Sequence, residues 1–101
     1  MGTALRIAAI AIAGTLAAAA APRTILMDGT RFAPDPITIK RGETVTFVNK
    51  DPFPHTATAK VLFDSGSIGE GKSWMYRADK PGRFDYVCTL HPGMKGTLIV
   101  Q

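Results

Sequence analysis

The chain has little of what most metalloenzymes and disulfide-stapled proteins are built from. Its 101 residues include one cysteine and two histidines. A lone cysteine excludes an internal disulfide framework, a four-cysteine zinc site and any cluster held by several thiolates. Two histidines are too few for a three-histidine catalytic zinc centre. Basic residues are scattered, with only Lys40 and Arg41 adjacent among the 12 Lys and Arg. No basic run carries interleaved aromatics, so nucleic acid is not an expected partner. There is also no nucleophile-and-base pair, no phosphate-cradling glycine loop, no nucleotide fingerprint, no repeat and no low-complexity tract.

What is there begins with a targeting segment. Met1 to Arg6 carries one positive charge, and Ile7 to Ala21 is an uncharged run ending in five alanines. A basic start, a short apolar stretch and a small-residue site read as a secretory signal. The run is shorter than the roughly 20 residues that span a bilayer. Proline generally blocks the peptidase, which disfavours cleavage directly before Pro22. Residues 1–20 are therefore read as the signal, cut after Ala20 with Ala18 and Ala20 as the small pair. Residues 21–101 are read as one small domain, monomeric and without stable membrane insertion. Taking Arg6 from the 12 basic residues leaves 11 against 8 acidic, a formal +3. A domain of this size buries only about 60–65 % of its unfolded surface. With no disulfide available, a bound metal is one way to add the missing stability.

The remaining chain carries strand signals and almost no helix signal. Pro36 to Lys40 alternates apolar and polar residues, as does Glu43 to Val48, with Arg41-Gly42 as a tight turn between them. Thr24 to Met27 reads as a first strand, His55 to Leu62 is rich in Thr, Ala and Val, and Trp74 and Tyr76 stand at period two. Phe84, Tyr86 and Cys88 share one face of the next strand, and Leu98 and Val100 share a face of the last. Turn clusters fall between, at Asp28-Gly29-Thr30, Asp51 to Pro54, Asp64 to Ser67, Gly69 to Gly71 and Lys80 to Gly82. This spacing predicts an all-β sandwich or barrel.

The chemistry lies near the C-terminus. Cys88-Thr89-Leu90-His91-Pro92-Gly93-Met94 sets a thiolate, an imidazole and a thioether three residues apart, in a loop leaving a strand. His55, the only other histidine, follows a turn bracketed by Pro52 and Pro54. Two histidines, one cysteine and a weak axial methionine form the type 1, or blue, copper electron-transfer site. Copper(I) favours soft sulfur and copper(II) favours imidazole, so a site fixed between the two preferences changes oxidation state with little reorganisation. Taken singly, each residue has a blander role: Cys88 a small buried hydrophobe, His55 a surface or capped histidine, Met94 a gap-filler. A free thiol in an exported protein wants a reason, however, and metal ligation supplies one.

These residues carry a family resemblance. The chain resembles the cupredoxins, in the plastocyanin and amicyanin branch, through Phe32-Ala33-Pro34, Gly42 to Asn49, Pro54-His55 and Gly82 to Cys88. Two residues on either side of His91 match the short ligand loop of amicyanins. The resemblance implies an antiparallel Greek-key β-sandwich with copper near one end. It also implies His55, Cys88 and His91 as equatorial ligands and Met94 as the axial one. Thr56 stands where the family commonly has Asn. A backbone N–H bond from that position to the thiolate needs no particular side chain, whereas a side-chain tie between the ligand loops would change.

The expected function follows from a closed four-ligand site with no open position for water or oxygen. The chain is expected to be no enzyme but a one-electron carrier in the bacterial periplasm. Its copper would cycle between Cu(I) and Cu(II). The partners implied are redox proteins, by resemblance a periplasmic dehydrogenase and a c-type cytochrome. His91 is the expected electron port, ringed by Phe53, Pro54, Leu90, Pro92 and Gly93 with Lys95 nearby. The competing reading is a periplasmic copper storage or delivery protein using the same ligands.

Overall fold

A computed structural model describes residues 23–101. The expected signal segment, residues 1–20, lies outside the described residues. Among the described residues nine strands run β1 (Arg23–Asp28), β2 (Arg31–Ala33), β3 (Ile37–Ile39), β4 (Thr44–Asn49), β5 (Thr58–Ala59), β6 (Phe63–Asp64), β7 (Ser73–Arg77), β8 (Gly82–Val87) and β9 (Lys95–Val100). They form two facing sheets, ordered β2-β1-β4-β7 and β3-β9-β8-β5-β6. This is the expected all-β sandwich. Two pairings in it are parallel, β1 with β4 and β3 with β9. Both arise because the chain leaves one sheet for the other through β2 and β3 and then returns, so partners in space are not neighbours in sequence.

Period-two alternation sorts the side chains. Ile25 and Met27 of β1, Val45 and Phe47 of β4, Ile37 and Ile39 of β3, and Leu98 and Val100 of β9 all turn into the space between the sheets. Phe47 sits at the centre of an aromatic cluster, with Tyr86 at 5.5 Å and Phe63 and Trp74 each at 6.1 Å between ring centroids. Removing such a ring costs on the order of 3–5 kcal/mol. Tyr86 lies flat over Gly96 of the paired strand, where any Cβ would collide with the phenol ring. Its hydroxyl is buried and has no hydrogen-bond partner among the described residues. Burial, reinforced by the charge of Asp35, pushes its ionisation well above the ordinary tyrosine value.

The segment His55 to Leu62, expected as one strand, is broken. Only Thr58–Ala59 is strand, and His55 makes an isolated bridge to Ile68. The chain then turns sharply, with Leu62 N–H donating to Ala59 O at 2.8 Å and Val61 at a φ of 53°. Threonine favours strands on average, but here its hydroxyls bond to neighbouring loops and shorten the ladder.

Candidate metal centre

Two loops at one end of the sandwich build the site. The first joins β4 to His55. Asn49 at the end of β4 is fully buried, and its amide donates to Phe53 O at 2.8 Å and Ile68 O at 2.9 Å. Its carbonyl accepts the Asp51 N–H at 2.8 Å. With Pro52 and Pro54 fixing φ on either side of Phe53, one side chain thus determines the path of the whole loop.

Asp51 completes the clamp. Its Oδ1 accepts the Gly29 N–H at 2.8 Å, and its Oδ2 accepts the Thr30 N–H at 2.9 Å and bonds His55 Nε2 at 2.7 Å. A carboxylate only accepts, so His55 donates from Nε2 and Nδ1 is the nitrogen left to face the site. The His55 bond is the largest influence holding the Asp51 carboxyl below its ordinary value, against the opposing effect of burial. His55 itself is completely buried.

The second loop is the turn of a hairpin. β8 and β9 pair antiparallel with Val87 opposite Lys95, so Cys88 to Met94 closes the end between them. Cys88 N–H donates to Met94 O at 3.0 Å, and Met94 N–H to His91 O at 3.1 Å. Gly93 takes a φ of 94°, a conformation that favours glycine. Alternation along β8 sends Cys88 inward behind Tyr86, and both Cys88 and Met94 are buried. His91 stays partly exposed.

The two loops bring three donor atoms face to face. His55 Nδ1 lies 3.2 Å from His91 Nδ1, and Cys88 Sγ lies 3.6 Å from the first and 3.7 Å from the second. Thr56 N–H donates to Sγ at 3.3 Å, the backbone bond that the family resemblance implied. The side-chain tie between loops is made by a hydroxyl, since Thr56 Oγ1 accepts the Thr89 N–H at 2.9 Å. Phe53 stands against both imidazoles, its centroid 5.3 Å from His55 and 5.2 Å from His91.

The donor set fits a copper ion. Two imidazole Nδ1 atoms and a sulfur, each able to offer a lone pair to an ion, converge on one point, and the carboxylate beyond His55 is the outer partner that metal-bound imidazoles favour. Asn49 and Asp51 are the functional residues that sequence reasoning passed over, reading Asp51 only as a turn residue. A carboxylate four positions before the histidine, across a rigid double-proline turn, is the signal that could have found it.

A two-sheet sandwich with a thiolate and two imidazoles at one end defines a blue-copper type of protein. The chain belongs to the cupredoxin-like family, whose domain model matches residues 3–100, and its cofactor is copper. It is 39 % identical over 88 residues to a plastocyanin of Scenedesmus fuscus, covering 69 % of this chain and 86 % of that protein. An amicyanin of Paracoccus versutus is 36 % identical over 75 residues, covering 64 % of this chain and 54 % of the relative. A copper-containing nitrite reductase of Thermus scotoductus superposes on 80 % of this chain at a TM-score of 0.75 and 33 % identity, but over only 22 % of its own length. The same domain thus occurs inside an enzyme chain as well as in small carriers.

Proposed function

We propose that the chain carries single electrons between redox proteins as a type 1 copper protein, with His55, Cys88 and His91 as equatorial ligands and Met94 as the axial one. The observation that supports this is the meeting of the two Nδ1 atoms and Sγ within 4.8 Å of one another. Bound copper supplies the one-electron couple between Cu(I) and Cu(II), which a mixed sulfur and imidazole set suits. The residues around it do the rest. Asp51 holds His55 in one tautomer, Thr56 N–H draws charge from the thiolate, and Met94 sits buried at the foot of the loop.

Electrons enter and leave through His91, the donor that reaches the surface. Phe53, 39 % exposed, and Leu90, 50 % exposed, stand around it with Pro54, Pro92 and Gly93, and Lys95 is exposed where β9 begins. Such a patch suits the brief, weak contacts of turnover. The compartment is the bacterial periplasm, reached by a signal over residues 1–20, and the partners are a periplasmic dehydrogenase and a c-type cytochrome.

The test is the absorption spectrum of the chain with one equivalent of copper(II). An intense visible band, bleached by a mild reductant and restored by an oxidant, is expected from thiolate-to-copper charge transfer. A colourless protein with weak copper bands overturns the reading. Rapid loss of copper to a chelator, with no reversible couple, assigns the chain to copper delivery.

A further inference from the structure

A row of hydroxyls leads away from the site. Thr56 Oγ1 lies 3.1 Å from Thr89 Oγ1 and 3.1 Å from Thr58 Oγ1, and Thr58 Oγ1 donates to Asp64 Oδ1 at 3.1 Å. Asp64 Oδ1 also accepts the Gly66 N–H at 3.0 Å, which pins the carboxylate to the β6 turn. Each hydroxyl has one proton and two lone pairs, so the direction of every bond can be worked out from the exposed end. Asp64 only accepts, and Thr58 therefore spends its proton there. The Thr56–Thr58 contact must then use the Thr56 proton. Thr56 in turn has both lone pairs left for Thr89, one for the N–H at 2.9 Å and one for the hydroxyl. Every proton and lone pair of Thr56 is used.

The ends of this chain of bonds matter. Thr56 gives its own N–H to Cys88 Sγ, and Thr89 is the next residue after Cys88. One hydroxyl therefore ties together the residue that donates to the thiolate and the residue that follows it. We infer that Thr58 and Asp64 are positioning residues for the metal site. Through Thr56 they fix the spacing of the two ligand loops and the N–H bond to sulfur, from a carboxylate at the protein surface. Bonds linked in one direction polarise one another, so losing the far end weakens those nearest the sulfur. This rests on the copper-site reading above, and the first arm of the test is independent of it.

The experiment compares the full chain with Thr58→Val, Thr58→Ser and Asp64→Ala. In the metal-free protein, amide hydrogen exchange at Thr56 and Thr89 is followed by NMR. A single net hydrogen bond corresponds to a change of roughly two- to tenfold. Exchange at Thr89 is expected to quicken by that factor in Thr58→Val and Asp64→Ala, and Thr58→Ser should restore it. With copper(II) bound, the two disrupting variants should shift the charge-transfer band and release copper to a chelator ~2- to 10-fold faster. Unchanged exchange in folded Thr58→Val and Asp64→Ala overturns the inference. So does faster exchange that leaves the band and the release rate where they were. A wild-type chain that shows no charge-transfer band refutes the copper reading instead, while the metal-free exchange still decides whether the relay joins the loops.

Discussion

The two histidines of the site offer the same atom in opposite circumstances. His55 is completely buried, its far nitrogen 2.7 Å from a carboxylate that also holds the turn between β1 and β2. His91 is partly exposed and sits on a seven-residue hairpin turn from Cys88 to Met94, its ring beside Phe53. One imidazole is set by protein packing before any ion arrives. The other is left partly exposed at the end of the sandwich. A carrier needs both: rigidity so that oxidation states share one geometry, and an exposed edge so that the electron can leave.

Truncating each histidine should separate these roles most sharply. His55→Gly and His91→Gly both remove a donor, and both should abolish the intense visible band with copper(II). Added imidazole should restore a coloured site in His91→Gly, because the gap opens to solvent. It should fail in His55→Gly, where the gap lies beneath Phe53 and the β1–β2 turn. Rescue of both to the same degree would break the distinction between a fixed and an accessible donor.

Asp51→Ala comes next in size. It strands three donors at once, the Gly29 and Thr30 N–H groups and His55 Nε2. Loss of such an outer partner typically weakens metal binding about 10- to 100-fold, and unmet bonds of this kind should cost about 2–4 kcal/mol of stability. Copper titration and denaturant unfolding of the metal-free chain read the two effects separately. If affinity held while stability fell, Asp51 would be a strut for the turn and not the orienter of His55.

How much of this was open to sequence reasoning depends on chain distance. Cys88 and His91 were legible because a hairpin turn keeps them together, and a thiol and an imidazole three residues apart point to one ion; Met94 belongs to the proposal. The alternating runs at Ile37 and Ile39, at Val45 and Phe47, and at Leu98 and Val100 fixed the sandwich. What was missed is held by side chains bonding to distant backbone. Asp51 acts on residues 21 and 22 positions earlier, and Asn49 on one 19 positions later. β2 escaped because three residues before Pro34 carry too short an alternation to register. The break after His55 was hidden for a related reason, since threonine promotes a strand on average and ends one when its hydroxyl finds a loop.

At the exposed edge the expected effect moves from stability to rate. Leu90→Glu places a charge on the apolar rim beside His91 without touching a donor. Spectrum and stability should stay within about 0.5 kcal/mol of the parent, as for most surface changes. Electron exchange with a c-type cytochrome should slow, read by stopped-flow mixing of reduced and oxidised proteins. Equal slowing by a charge at Val61, which is fully exposed on the β5–β6 turn away from His91, would show that net charge and not this rim governs the encounter.

In the core the expected effect leaves the metal site untouched, and its sign is the informative part. Around His55 the buried polar groups are paired, so removing one should destabilise. The Tyr86 hydroxyl is buried and unpaired among the described residues, so removing it in Tyr86→Phe should stabilise by about 1 kcal/mol, the order of an unmet desolvation cost. The change also has a pH signature. Folding raises the Tyr86 ionisation above its ordinary value, so the folded chain keeps a proton that the unfolded chain gives up. That contribution is present in full below about pH 10 and is lost as pH climbs above it. Tyr76 shifts the same way, chiefly through burial and then the charge of Asp79, and it remains in the variant. Tyr86→Phe should therefore lose less stability than the parent between neutral and strongly alkaline pH, with the residue of the loss belonging to Tyr76. A variant less stable than the parent at pH 7 would mean that the hydroxyl is paired after all, and that the core and the metal end obey the same rule.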